Sequence, residues 1–193
     1  MSHFRQIERS GPHRGVAAVE FALVVPVLLL ALLAGTDLSL FLRTKMHLDQ
    51  VTEELAITVT QYQDLYDSDF TTLFNAAQTM AGTMPVTGQF GTTIITAIVN
   101  NGSRQTIAWQ KRSPSATFSS LFGTVPGGSA NLPNNYVLPA GGTLIAVEVF
   151  TAASPWVFSS GLMGHSDVAS LRSYALFQPR LGSLATVTAG NRP

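Results

Sequence analysis

The chain has 193 residues, of which 46% are hydrophobic and only 11% charged, less than half the charged share of an ordinary soluble domain. Basic and acidic residues balance, and no Lys/Arg cluster follows the N-terminal leader, so a nucleic-acid partner has no electrostatic basis. Cysteine is absent, which excludes disulfides, thiolate metal sites and cysteine nucleophiles.

Residues 1–15, MSHFRQIERSGPHRG, are polar and carry Arg5, Arg9 and Arg14 against Glu8. Residues 16–35 follow as an apolar run in which Glu20 is the only charge. As a helix this run would be about 30 Å long, the thickness of a hydrocarbon core. The positive flank precedes it, so the leader is expected to stay cytoplasmic while the rest of the chain crosses. A cleaved secretory signal would be shorter and would end on small residues. Here a cut at Ala34 or Gly35 would put Leu32 or Leu33 in the small-residue slot, which argues against it. A plain anchor fits the length but leaves Glu20 unexplained, because a carboxylate inside a bilayer costs about 2–3 kcal/mol. Pro26, deep in the run, removes a helix hydrogen bond and predicts a kink or local loosening.

Gly15, four residues, and then Glu20-Phe21 stand behind a basic leader at the head of this apolar run. The arrangement resembles the class III signal of type IV pilin-like proteins, and most closely the TadE/TadF group of the tight-adherence (Tad/Flp) pilus system. Arg14, Gly15, Ala18, Val19, Glu20, Phe21, Ala22, Leu23, Val24, Pro26 and the leucines after it carry the likeness. The resemblance implies cleavage between Gly15 and Val16 by a prepilin peptidase on the cytoplasmic face. It also implies that Glu20 and Phe21 serve recognition and subunit register. The physical sense is an ion pair: the α-amino group freed at Val16 would meet a carboxylate one helical turn along in a neighbouring subunit. Such a pair fixes axial register within the membrane.

Beyond the span, residues 36–66 contain neither Gly nor Pro, and Phe41, Leu48, Leu55 and Tyr62 recur every seventh residue, joined by Leu38, Val51, Val59 and Tyr66. This is one amphipathic stripe, expected to pack on the protein's own domain, with helix–helix contact in an assembly as the other reading. Residues 67–82 read as a short second helix with Asp69 as N-cap and Gly82 just past its end. Two β-rich runs then flank Asn100-Asn101-Gly102-Ser103, a hairpin signal. Further strands are expected at 143–150 and 166–177. Residues 122–142, rich in Gly, Pro and Asn, are expected to form a long surface loop. The late stretch 147–156 and the Gln178-Pro179-Arg180 run are partial likenesses to the same pilus group.

His3, His13, His47 and His165 are scattered without metal-ligand spacing, and Gly164-His165-Ser166-Asp167 are chain neighbours that cannot converge as a triad among themselves. No phosphate loop, nucleophile elbow or dinucleotide fingerprint occurs. Neither an enzyme nor a cofactor is expected.

The organisation expected is a leader over 1–15, a membrane helix over 16–35, an amphipathic continuation over 36–66, and a periplasmic α+β domain over 67–193 with an antiparallel sheet. The resemblance implies a minor pilin or pseudopilin in the bacterial inner membrane. Its partners would be the prepilin peptidase, other Tad/Flp pilus subunits and assembly-platform proteins. The rival reading is a signal-anchored periplasmic domain, unrelated to pili, that holds a ligand with its sheet and the 122–142 loop.

Overall fold

Between Val16 and Thr60 the sequence offers a helix breaker only at Pro26 and Gly35. In the computed structural model, which describes residues 13–153 and 169–192, one unbroken helix α1 accordingly runs from His13 to Thr60. Its side chains divide sharply. From Val16 to Met46 the large apolar residues lie open; from Leu48 onward Leu48, Val51, Leu55 and Val59 are at most 2% exposed. The amphipathic stripe therefore packs on the protein's own domain in its C-terminal part, whereas Leu38 and Phe41 stay outside.

The helix stops at Thr60 rather than continuing to Tyr66. The N–H groups of Gln61 and Tyr62 donate to the carbonyls of Thr58 and Val59, a tightening to three-residue spacing that closes the last turn. The N–H of Arg180 then takes the Thr60 carbonyl. Leu65–Tyr66 forms a short strand β1, paired in parallel with β6, Val187–Thr188.

Helix α2 spans Asp67–Ala81. Asp69 is not its N-cap but its third residue. Its carboxylate reaches back to accept the N–H of Tyr66 at 2.9 Å, so it satisfies the same orphan donor from inside the helix. Gly82 ends the helix at a positive φ of 62°, the conformation that selects glycine there.

Four strands make the antiparallel sheet, in the order β3-β2-β4-β5: β2 is Gly91–Asn100, β3 Gln105–Arg112, β4 Thr143–Ala153 and β5 Ala169–Phe177. The β2–β3 connection is the expected hairpin. The Asn101 side-chain oxygen accepts the N–H groups of Ser103 and Arg104, both at 3.2 Å, and Gly102 takes a φ of 92°. A side chain at Gly91 would place its Cβ 2.2 Å from the Pro85 carbonyl oxygen, so only glycine lets β2 start there. Residues 166–168, expected at the head of β5, lie outside the described residues, as do the leader through residue 12 and the stretch 154–168.

Each strand sends alternate side chains to opposite faces. Ile95, Ala97, Ile145, Val147 and Val149 pack under the two helices in the main core. The other face carries a second core built from Ile98, Leu144 and Ala146 together with Phe122, Leu132 and Leu138. The last three come from the 122–142 loop. That loop is more than a solvated surface segment: it covers the second face of the sheet. It also lines the outer edge of β3, where Gly127, Gly128 and Ala130 exchange backbone hydrogen bonds with Gln105 and Ile107. Its Gly and Pro content gives it the turns that a close-fitting cover needs, including a turn of 3-10 helix at Pro133–Asn135.

Candidate functional site

The residues singled out from the sequence all lie on the N-terminal half of α1. Val16 and Glu20 are separated by four positions, about one turn or 6 Å along the axis, and so share a helix face. Gly15, Val16, Glu20 and Phe21 are all exposed, Phe21 at 70%. Pro26 sits inside the helix, which stays continuous across it. Having no N–H, Pro26 leaves the Ala22 carbonyl without its usual donor and so weakens the helix there. Among the described residues, none buries this apolar segment. Among the described residues α1 is the one helix long and apolar enough to cross a membrane.

The fixed end of α1 is held differently. The Asp49 carboxylate accepts from Lys45 on the preceding turn and from the Ser173 hydroxyl on β5. Burial works to raise the Asp49 carboxyl, but the hydrogen bonds from Lys45 and Ser173 outweigh it and hold the group below its ordinary value. At the far end of the domain Arg192 packs over the rings of Tyr62 and Tyr66 and pairs with Asp69 at 2.9 Å. The hydrogen bond from Arg192 is the main reason the Asp69 carboxyl lies below the usual carboxylate range.

Sequence reasoning missed the polar group beneath the 122–142 cover. Glu148 of β4 is fully buried and ion-pairs with Arg172 of β5 at 2.8 Å. It also accepts the Ser120 hydroxyl and the Leu121 N–H, which ties the start of the cover to the sheet. Phe122, Phe150 and Tyr174 box the Arg172 guanidinium, each ring centre within 6 Å. The signal was available: Glu148 and Arg172 are the only charges in their two strands, and each would be costly there without the other. This network binds loop to sheet, and both Glu148 carboxylate oxygens are engaged in it.

Among the described residues no group of three or more His, Asp or Glu side chains is placed to hold a metal ion. The domain has an open groove of about 500 Å³ between Arg43, Thr44 and His47 of α1 and Ala81–Met84 after α2. A smaller hollow of about 240 Å³ lies by Asp67, Phe70 and Lys111.

The exposed apolar half with its Gly15–Glu20 head, joined to a half locked into a domain, is also what comparison with known proteins picks out. Residues 15–56 match the TadE-like protein family. The TadE-like segment thus starts at the expected cleavage boundary and ends inside α1, spanning the exposed half and most of the packed half while leaving the sheet unmatched. No curated protein and no solved structure matches the chain significantly.

Proposed function

We propose that this protein is a minor pilin or pseudopilin of a Tad/Flp-type adhesive pilus, processed by a prepilin peptidase and held in the inner membrane by α1. The observation that carries the reading is the TadE-like segment itself, with Gly15, Val16, Glu20 and Phe21 heading an apolar helix that the other described residues leave bare. In this reading the peptidase cuts between Gly15 and Val16, the domain faces the periplasm, and other pilus subunits and the assembly platform meet the bare half. Pro26 supplies a bend where the helix leaves the bilayer or packs on a neighbour. The role is mechanical and associative. The alternative, a ligand held by the sheet and the 122–142 loop, is less favoured because Phe122, Leu132 and Leu138 of that loop are engaged in the core.

Processing is tested by intact mass and N-terminal sequencing of protein from its native host. The mature chain is expected to begin at Val16; a chain that retains Arg14 or begins near Thr36 overturns the reading. The register role is tested with Glu20→Gln, which keeps shape and removes charge. The variant is expected to be cleaved and inserted but not to co-purify or crosslink with other pilus subunits. Leaving one member of a buried pair alone costs about 3–5 kcal/mol, less where water reaches it. About 1.4 kcal/mol already means a tenfold loss in association. Normal cleavage with normal incorporation would remove Glu20 from any register role.

A further inference from the structure

Strand β3 lies at one edge of the sheet, and that edge is closed over its first half and open over its second. Gln105 and Ile107 turn their outward backbone groups to Gly127, Gly128 and Ala130 of the 122–142 cover. The register of β3 on β2 then shifts at a bulge opposite Ala97 and Ile98. Past the bulge, the Ser113 N–H donates to the Thr93 carbonyl. Backbone groups alternate in direction along an antiparallel strand, so Trp109 and Lys111 also turn toward β2, while Gln110 and Arg112 turn theirs outward. Among the described residues no hydrogen bond takes those outward N–H and C=O groups. An open edge of this kind is a template for one more strand.

Beside the open part, between β3 and α2, lies the hollow of about 240 Å³. Phe70 and Phe74 of α2 line it and are themselves at most 7% exposed. An apolar cavity of about 150 Å³ already takes a benzene ring, so this one has room for a branched aliphatic side chain. Lys111 pairs with Asp67 at 2.7 Å on its rim, which balances the charge there. Side chains directly opposite one another on neighbouring strands point to the same face. In a strand laid along Gln110–Arg112, the residue facing Lys111 would enter the hollow. An apolar residue fits that place.

The residue facing Arg112 would lie on the other face of the sheet, the face on which Gln110 bonds Thr96 and Gly123. Arg112 is exposed and donates to the Phe118 carbonyl, and among the described residues no carboxylate pairs with it. A carboxylate fits opposite it, because unlike charges stabilise a cross-strand pair. The edge thus calls for an acidic residue next to an apolar one. A second copy of this chain is a poor source of that pair. Residues 83–142 and 169–192 contain no Asp or Glu outside the buried sheet, and Leu65, beside Asp64, is sealed in the core.

We propose that the open edge of β3 at Gln110–Arg112, together with the hollow against α2, is a docking site for an extended acidic–apolar segment of a different protein. The segment adds to the sheet as a fifth strand, with main-chain hydrogen bonds for affinity and the hollow and Arg112 for selection. The site involves no residue of α1.

The test uses the full chain in detergent and two fluorescently labelled, end-capped hexapeptides, Thr-Thr-Asp-Leu-Thr-Thr and Thr-Thr-Leu-Asp-Thr-Thr, which sample both strand directions. At least one is expected to bind saturably by anisotropy and to slow amide exchange at Gln110 and Arg112. Replacing its Asp by Asn should weaken binding about threefold, and its Leu by Ala about tenfold. Methylating the peptide N–H groups that face β3 should abolish binding, a change that cannot misfold the protein. In the chain itself, Arg112→Ala should bring the Asp and Asn peptides to equal affinity. The proposal is overturned if neither peptide binds, if the methylated peptide binds as well as its parent, or if Arg112→Ala leaves the preference for Asp intact. It is also overturned if the Gln110 and Arg112 amides are already protected in the free chain. Protection that grows with protein concentration alone would make a second copy the occupant and overturn it likewise.

Discussion

The two halves of α1 share a helix and a taste for leucine, and differ in everything else. Residues 16–35 are apolar all the way round, the pattern of a helix whose surroundings are uniformly apolar. Residues 48–60 are apolar on one stripe only, with Asp49, Glu53 and Glu54 on the other sides, and that stripe is sealed by the sheet and α2. Hydrophobicity alone does not say what will cover a helix. The angular distribution of its charges does. The family match runs across both halves, which ties the anchor and the strut into one unit.

Substitutions on either side of this divide sharpen it, beginning with the largest effect. Leu55 is completely buried in the packed half. Leu55→Ala should destabilise the domain by about 4 kcal/mol, a typical cost for emptying a leucine site that cannot collapse. Thermal unfolding of the full chain in detergent measures it, and a loss below about 1 kcal/mol would mean that the stripe is not core. Next comes Glu148→Ala, which strands Arg172 under the loop. A loss of about 3 kcal/mol is expected, at the lower end for a broken buried pair because Arg172 keeps some solvent contact. The first proteolytic nick should move into the 118–142 region; nicking unchanged from wild type would show that the network does not hold the cover.

Asp69→Asn is the milder case, about 1 kcal/mol, the worth of a helix-end contact. Its sign with pH is fixed by the Arg192 partner. A carboxyl drawn below its unfolded value contributes fully above about pH 4 and loses that contribution as the pH falls through its lowered value. The melting temperatures of wild type and variant should therefore differ at neutral pH and converge in acid. A gap that widens in acid would reverse the assignment. The smallest effect belongs to the bare half. Leu28 is 60% exposed, and Leu28→Ala should shift domain unfolding by less than about 0.5 kcal/mol. A larger shift would erase the contrast between the halves.

What could be read from the sequence was local. The hairpin declared itself through Asn101-Gly102, because a side-chain oxygen and a positive φ suffice to make that turn. The long apolar N-terminal helix was legible because it lies within one continuous run of sequence, and residues 15–56 carry the family likeness within that run. Asp69 was misplaced by three positions, since a carboxylate can serve a helix start from either side of it. The end of α1 at Thr60 was missed because nothing in 61–66 forbids helix; the pairing with Val187–Thr188, distant in sequence, decides it. The 122–142 cover was illegible for the same reason. Phe122, Leu132 and Leu138 look like strays in a polar loop until the sheet supplies the face on which they converge.

The length of α1 carries a mechanical consequence. At 1.5 Å per residue the helix is about 70 Å long, and only its last 20 Å or so is clamped in the core. It is a lever with unequal arms. A sideways load at the tip reaches the Leu48–Val59 packing multiplied by about two and a half, in the ratio of the arm lengths. Pro26 sits within the long arm, where the missing hydrogen bond lowers the bending stiffness. Under load the helix would flex there first, and the clamp would feel less torque than a uniformly stiff rod would deliver.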